Sequence, residues 1–315
     1  IIGPSLVGLT PGFFEGSVYL RNETASGIRT ESQSLALNVQ LLDSSLDRIN
    51  VNGSSLGGYI DFFGKGLVGN TPEEITSIVI QGTFEDQEGT VTPIENEVVT
   101  AYAGPNLVRY VLTEDDALGQ TLKLRRRSGV VVATFQPILS YGSQERMLPE
   151  LYSTFEVLPV RQIVHANYLP GFDDALERFG LDRAGELIKE QIIQRTTFIF
   201  SGIGVDVRVE APDDFALYSQ VDLTGFDPNG IGLMGYDNTP GKDVGNERLY
   251  DRIGGVHALT QEDGYPGYGG IFVESFFGFS KRPPAGIRAH PGASGTFDTI
   301  FNPLRPETGR PATRI

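Results

Sequence analysis

Side chains that carry carboxylate or amide oxygens are crowded into one Gly-rich stretch of the chain, residues 222–247. Hard oxygens of this kind are the ligands that Ca²⁺ prefers, so the stretch could bind calcium. Asp and Asn also accept hydrogen bonds from the backbone of tight turns, and a structural role explains the same composition. The spacing is not that of an EF-hand loop. The candidate calcium ligands are Asp227, Asn229, Asp237, Asn238 and Asp243.

The sequence offers little for hydrolytic chemistry. The three histidines, His165, His257 and His290, are isolated from one another, and no HExxH motif is present. Zincin catalysis needs two His four residues apart on a helix with a Glu between them as general base. The chain has no cysteine, which excludes thiol nucleophiles and Cys-ligated metals. Neither a GxSxG elbow nor a Walker sequence occurs.

A short apolar run follows the oxygen-rich stretch, and residues 271–276 are predicted to form a strand. At the edge of a sheet, such a strand could pair its free main-chain groups with an extended peptide. An ordinary buried strand would have the same composition, so both interpretations stay open. The candidate substrate-binding residues are Gly269, Gly270, Ile271, Phe272, Val273 and Glu274.

The elements upstream of residue 160 are predicted to be strands. Leu35, Leu37, Val39 and Leu41 alternate with small or polar residues, which is the period of a half-buried strand. Turn signals recur about every 8–12 residues, a spacing typical of a β-sandwich. Further strands are predicted at residues 59–63, 75–84, 107–112, 122–126 and 130–135.

The pattern changes after residue 160. A strand is predicted around His165, and a helix from Ala184 to Arg195 with Asp182 as its N-cap. Two more strands, at residues 205–209 and 215–223, come before the long loop. Strand, helix and strand within about 50 residues indicate an α/β unit. The predicted fold class is therefore mostly β with an α/β part.

Residues 161–280 resemble the N-terminal half of a bacterial secreted metzincin-like zinc peptidase domain. The resemblance is carried by the segments QIVHANYL, LDRAGELIKEQII, DNTPGKDVGN and YGGIFVES. It implies an incomplete zincin-like α/β domain in which an edge strand binds the substrate in extended form. In that family an active-site helix with HExxHxxGxxH follows, and these 315 residues contain no such helix. The expectation is a non-catalytic fragment, with zinc held only by a segment further downstream.

The upstream segments SLGGYIDFFGKGLVG and VVVATFQPILSYG resemble an IPT/TIG-like immunoglobulin-type β-sandwich. The domain organisation expected from these patterns has four parts. Residues 1–45 would be the terminal strands of a β-module, and residues 46–158 an Ig-like sandwich. Residues 159–280 would form the metzincin-like subdomain, and residues 281–315 a Pro-rich extended tail.

The net charge of −15 argues against a nucleic-acid partner, because phosphate binding needs clustered Lys and Arg. No run of about 18 apolar residues is present, so no membrane-spanning segment is predicted. The leading hypothesis is a piece of a secreted or cell-surface metallopeptidase-like protein whose partner is an extended peptide or protein. The alternative is a non-enzymatic extracellular adhesion or envelope protein built of β-sandwich modules, with calcium as a candidate ligand.

Overall fold

A computed structural model describes residues 12–41, 43–50, 53–69, 71–238, 252–253, 267–283 and 287–300. The chain divides into two compact units, Ile1–Val160 and Arg161–Ile315. The first unit is almost entirely β, and the second combines a mainly parallel sheet with helices. The mostly β fold class with an α/β part, predicted from the sequence, is confirmed.

The first unit starts with four strands that form two small antiparallel sheets. These strands are β1 (Gly12–Val18), β2 (Arg21–Glu23), β3 (Arg29–Glu31) and β4 (Leu35–Leu41). β1 pairs with β4, and β2 pairs with β3. The strand predicted from the alternation of Leu35 to Leu41 is therefore present. It is not half-buried as expected, since Leu35 is 67% exposed.

The rest of the first unit forms two larger antiparallel sheets. One has the order β5-β6-β10-β9, and the other β12-β11-β7-β8, with β13 also paired to β11. The bounds are β5 (Ser45–Ile49), β6 (Tyr59–Lys65), β7 (Glu74–Asp86), β8 (Val91–Val99), β9 (Ala101–Gly104), β10 (Leu107–Val111), β11 (Gly129–Tyr141), β12 (Gln144–Met147) and β13 (Leu151–Val157).

Aromatic rings connect the two larger sheets. Phe62 of β6 contacts Phe135 of β11 with ring centroids 6.0 Å apart, and Phe135 contacts Phe155 of β13 at 6.3 Å. All three side chains are buried. Burial of each phenylalanine stabilises the fold by about 1.5–3 kcal/mol. The sheets therefore face each other across a shared apolar core.

One predicted strand of this unit, at residues 122–126, is wrong. Helix α1 (Ala117–Leu122) occupies the start of that stretch, and Lys123 ends the helix in the left-handed conformation. Asp116 caps the helix, because its carboxylate accepts a hydrogen bond from the Gly119 N–H at 2.9 Å. The cap fixes a helical turn where alternation of Leu122 and Leu124 alone indicated a strand.

The second unit is built on one mixed sheet with the order β15-β14-β16-β19-β17. β14, β15, β16 and β19 run parallel, and the short β17 runs antiparallel to β19. A further short strand, β18, also pairs with β16. The strands are β14 (Gln162–Tyr168), β15 (Val205–Arg208), β16 (Ser219–Thr224), β17 (Gly235–Tyr236), β18 (Arg252–Ile253) and β19 (Gly270–Phe272).

Helices α2 (Pro170–Phe179) and α3 (Gly185–Ile199) lie between β14 and β15, and α4 (Gly295–Ile300) comes near the end of the described residues. The predicted helix from Ala184 is confirmed as α3, and α2 is a further helix that was not predicted from the sequence. Asp182 is not the N-cap of α3, because it begins a 3-10 turn and Ala184 holds the cap position without a side-chain bond.

The core of the second unit lies between the sheet and its first helices. Ala166 and Leu223 from the sheet are buried with Phe172 and Leu176 of α2. Partly buried apolar residues of α3, including Ile188, pack against this cluster. The helices thus cover the sheet and hold fixed the strand ends from which the loops of the candidate site extend.

Candidate functional site

The carboxylate of Asp227 is the centre of a hydrogen-bonded turn just after β16. Its Oδ1 accepts from the Asn229 N–H and the Asn229 side-chain amide, both at 2.9 Å. Its Oδ2 accepts from the N–H groups of Ile231 at 3.2 Å and Leu233 at 2.9 Å. One side chain therefore shapes the whole loop that leads into β17.

The same hydrogen bonds set the charge state of Asp227. Partial burial raises the pKa of this carboxyl, but hydrogen bonds from Leu233, Asn229 and Ile231 lower it by more, so the pKa lies below its usual value. The negative charge is stabilised by backbone N–H groups, which is the structural role that Asp performs in turns.

Of the other candidate calcium ligands, Asn229 contacts Asp227 by donating to its carboxylate, and it does not offer an oxygen to a cation at that carboxylate. The Asn229 side chain also joins two loops, because it donates to the Tyr268 carbonyl at 2.8 Å and accepts from the Tyr268 N–H at 2.9 Å. Asp237 is exposed, Asn238 is buried, and Asp243 lies outside the described residues. Within the ranges that the structure describes, no group of three or more acidic or histidine side chains could hold a metal ion. The calcium site stays a prediction.

The predicted substrate-binding strand needs a correction. β19 covers only Gly270–Phe272, and it lies between β16 and β17 rather than at the sheet edge. Val273 and Glu274 begin a 3-10 helix, Val273–Phe279, and Gly269 precedes the strand. The strand is interior because the loop after β16 returns to the sheet and places β17 on its outer side.

Only glycine fits at position 270, in the interior of the sheet. Its φ is +120°, which favours glycine, and a Cβ there would lie 2.6 Å from the Asp222 carbonyl oxygen. Its role in the structure is therefore the close approach of two strands. Ile271 and Phe272 continue the strand, with Phe272 fully buried.

The edge position belongs to β17. The Phe272 N–H donates to the Met234 carbonyl at 2.9 Å, so these two residues form a hydrogen-bonded pair across the strands. Hydrogen-bonded and non-hydrogen-bonded pairs alternate in an antiparallel ladder. The next pair, Gly235 with Ile271, is then a non-hydrogen-bonded pair. The N–H and C=O of Gly235 face away from β19, towards a side on which none of the described strands pairs.

A cavity of about 420 Å³ lies beside the loop that leads into β17. It brings together Asp227 and Glu274, which the sequence analysis had assigned to two separate sites. It also contains two arginines, Arg178 and Arg288, that no sequence pattern indicates. The lining residues used below are Arg178, Phe226, Asp227, Ile231, Glu274 and Arg288.

Glu274 is buried on one wall of this cavity. Its side chain is 9% exposed, and its carboxylate forms an ion pair with Arg178 from the last turn of α2. The Glu274 N–H donates to the Gly225 carbonyl at 2.9 Å, which ties the 3-10 helix to the end of β16. Removing Arg178 would leave the buried carboxylate of Glu274 uncompensated, so the ion pair holds this wall in place.

The two histidines that the structure describes, His165 and His290, do not line this cavity. His165 is buried in β14 with Nε2 at 3.1 Å from the Val209 carbonyl, and its Nδ1 has no hydrogen-bond partner among the residues that the structure describes. His290 accepts a hydrogen bond from the Gly292 N–H at Nδ1 and contacts the Phe279 ring. His257 lies outside the described residues.

Comparison of the chain with protein-family models, with curated proteins and with solved structures finds no match. Among the helices that the structure describes, none is both long and apolar enough to cross a bilayer. Fold and site together define a β-rich unit followed by an α/β unit with an antiparallel edge strand and a charged cavity beside it.

Proposed function

We propose that the second unit binds an extended peptide as an additional strand along β17. The observation that carries the proposal is the position and direction of this strand, which is antiparallel and lies at the edge of an otherwise parallel sheet. Unpaired main-chain groups at such an edge are a template for another chain, and strand addition is a recurring mode of peptide recognition. Gly235 supplies one outward N–H and one outward C=O.

The proposal agrees with the resemblance of residues 161–280 to the N-terminal half of a secreted metzincin-like zinc peptidase domain. That resemblance implies an edge strand that binds substrate in extended form, and β17 takes the place that residues 269–274 were expected to fill. The protein is proposed to be peptidase-like and secreted or cell-surface, with an IPT/TIG-like immunoglobulin-type sandwich in its first unit. These 315 residues contain no HExxH sequence, so the role proposed for them is substrate binding rather than cleavage.

Substitution of Gly235 tests the proposal, because two replacements there differ in one hydrogen-bond donor. Gly235→Pro removes an N–H that faces away from β19, a position where proline is tolerated in edge strands. Gly235→Ala keeps the N–H, and its Cβ would lie 3.4 Å from the Gly270 carbonyl, an ordinary contact. Binding is measured on the full chain by fluorescence anisotropy with a labelled, capped octapeptide of alternating Ser and Val.

We expect the alanine variant to bind like the wild-type protein and the proline variant to bind about fivefold more weakly or worse. One net hydrogen bond is worth about 1 kcal/mol, which corresponds to about fivefold in affinity. Equal binding by both variants would show that the peptide does not pair with β17. No binding by the wild-type protein would favour the alternative, a non-enzymatic adhesion or envelope protein.

A further inference from the structure

The cavity lies close to the edge strand along the chain. Gly232 lines the cavity, and Gly235 follows three residues later. Three extended residues span about 10 Å, so a peptide paired with β17 could place a neighbouring side chain in the cavity. The volume of about 420 Å³ is within the range of small-ligand pockets, roughly 300–1,000 Å³.

The two carboxylates of the cavity already have partners within the protein. Each oxygen of Asp227 accepts two hydrogen bonds from its own turn. Glu274 is paired with Arg178. A ligand cation would have to displace these partners, so the acidic residues do not make the cavity a cation site.

The two arginines, in contrast, keep unused donors. A guanidinium carries five N–H groups. The bond from Nη1 of Arg178 to Glu274 is the only side-chain hydrogen bond that Arg178 makes in the described part of the chain. Arg288 is exposed and forms neither an ion pair nor a side-chain hydrogen bond with any residue that the structure describes. The spare hydrogen-bonding capacity of the cavity is therefore positively charged and donates to anions.

Apolar side chains flank these donors. Phe226 is 63% exposed and Ile231 is 69% exposed, and both line the cavity. Exposed apolar residues beside unsatisfied donors match a ligand with an apolar stem that ends in an anion. The net charge of −15 opposes anions at long range, but salt screens such repulsion beyond about 8 Å at physiological ionic strength.

We infer that this cavity binds a carboxylate of the peptide, through Arg288 and the free donors of Arg178, with Phe226 and Ile231 against the adjoining carbon atoms. The carboxylate belongs either to a Glu side chain or to the C-terminus of the peptide. The inference rests on the proposed function for its ligand, but the cavity can be tested apart from the edge strand.

The first experiment uses a probe too small to add a strand. N-acetylglutamate amide is titrated into the full chain, and the backbone amide signals of Gly230, Gly232 and Ser275 are followed by NMR, with N-acetylglutamine amide as the neutral control. We expect saturable shifts with the glutamate probe and about tenfold weaker binding by Arg288→Gln, because a charge-assisted hydrogen bond is lost. Arg282→Gln is the matched control, since Arg282 is exposed and does not line the cavity. Equal shifts with both probes would overturn the inference.

The second experiment compares three octapeptides. The first has an internal Glu and an amidated C-terminus, the second has Gln in place of Glu and an amidated C-terminus, and the third has Gln and a free C-terminus. We expect one of the two acidic peptides to bind about tenfold more tightly than the neutral peptide, and Arg288→Gln to abolish the difference. Equal affinities for all three would overturn the cavity inference while leaving strand addition intact. Glutamate shifts without peptide binding would overturn the proposed function and leave the cavity inference intact.

Discussion

Asp227→Asn is the substitution that tests most directly how the site is organised. The carboxylate accepts four hydrogen bonds, two on each oxygen. Asparagine keeps one acceptor oxygen and replaces the other with an NH₂ group, so one pair of donors loses its acceptor: either the two N–H donors of Asn229 or the N–H groups of Ile231 and Leu233. A change of one atom type, with almost no change in shape, thus removes half of the bonds that hold the loop before β17.

The expected effect follows from those two bonds. A hydrogen bond to a charged group contributes about 1.5–3 kcal/mol, and partial exposure of the loop reduces each of the two bonds to about 1–1.5 kcal/mol. The free energy of opening this loop should fall by about 2–3 kcal/mol, which corresponds to roughly 30- to 150-fold faster amide exchange.

Hydrogen–deuterium exchange at the amides of Asn229, Ile231 and Leu233 measures this directly, because it reports local opening in a chain of two units. Asp174→Asn is the control, since Asp174 is exposed on α2 and its side chain makes no hydrogen bond within the described ranges. Unchanged exchange in Asp227→Asn would refute the structural role of the carboxylate. Slower exchange of the wild-type amides on adding calcium would show that Asp227 binds the cation, against our interpretation.

Two further predictions concern the stability of the first unit, and urea unfolding of the full chain tests both. Gly82→Ala should destabilise this unit by about 1–3 kcal/mol, because its Cβ would lie 2.2 Å from the Val132 carbonyl. Gly104→Ala, whose Cβ meets nothing within 4 Å, should not, and equal midpoints would contradict the packing argument. A backbone hydrogen bond from Thr90 holds the pKa of Asp86 below its usual value. This hydrogen bond therefore stabilises the folded protein fully above the ordinary aspartate pKa of about 3.9. The stabilisation is lost as the pH falls through the lower pKa that Asp86 has in the folded protein. Asp86→Asn should remove that part of the acid sensitivity, and an unchanged pH profile would contradict it.

The sequence predicted elements well where one local pattern decides the structure. The alternation around Phe135 leads to the long strand β11, and the 3.6-residue period around Ile188 leads to α3. Both patterns persist over many residues, so no single contact has to be known. The predicted strand that became α1 fails for the opposite reason, since one capping carboxylate, that of Asp116, decides the conformation of a short segment.

The candidate site could not be predicted as a whole, because its residues are far apart in the sequence. Glu274 and Arg178 are 96 positions apart, and their pairing depends on how α2 packs against the 3-10 helix. Asp227 could be selected from its turn sequence, but the partners of its carboxylate become evident only in the folded loop. Leu169 and Pro170 did contain a usable signal, since proline is common in the first turn of a helix, and it would have indicated α2.

The brevity of β17 has a consequence for self-association. Long exposed edge strands cause proteins to polymerise sheet to sheet, and short edges are one of the ways in which folds avoid it. β17 is only two residues long, so a second copy that paired through the same strand would gain very few main-chain bonds. Concentrated solutions of the chain should therefore resist fibre formation at this edge. For the same reason, a peptide gains only a few main-chain hydrogen bonds from β17, and contacts with side chains beside the strand would add to its affinity.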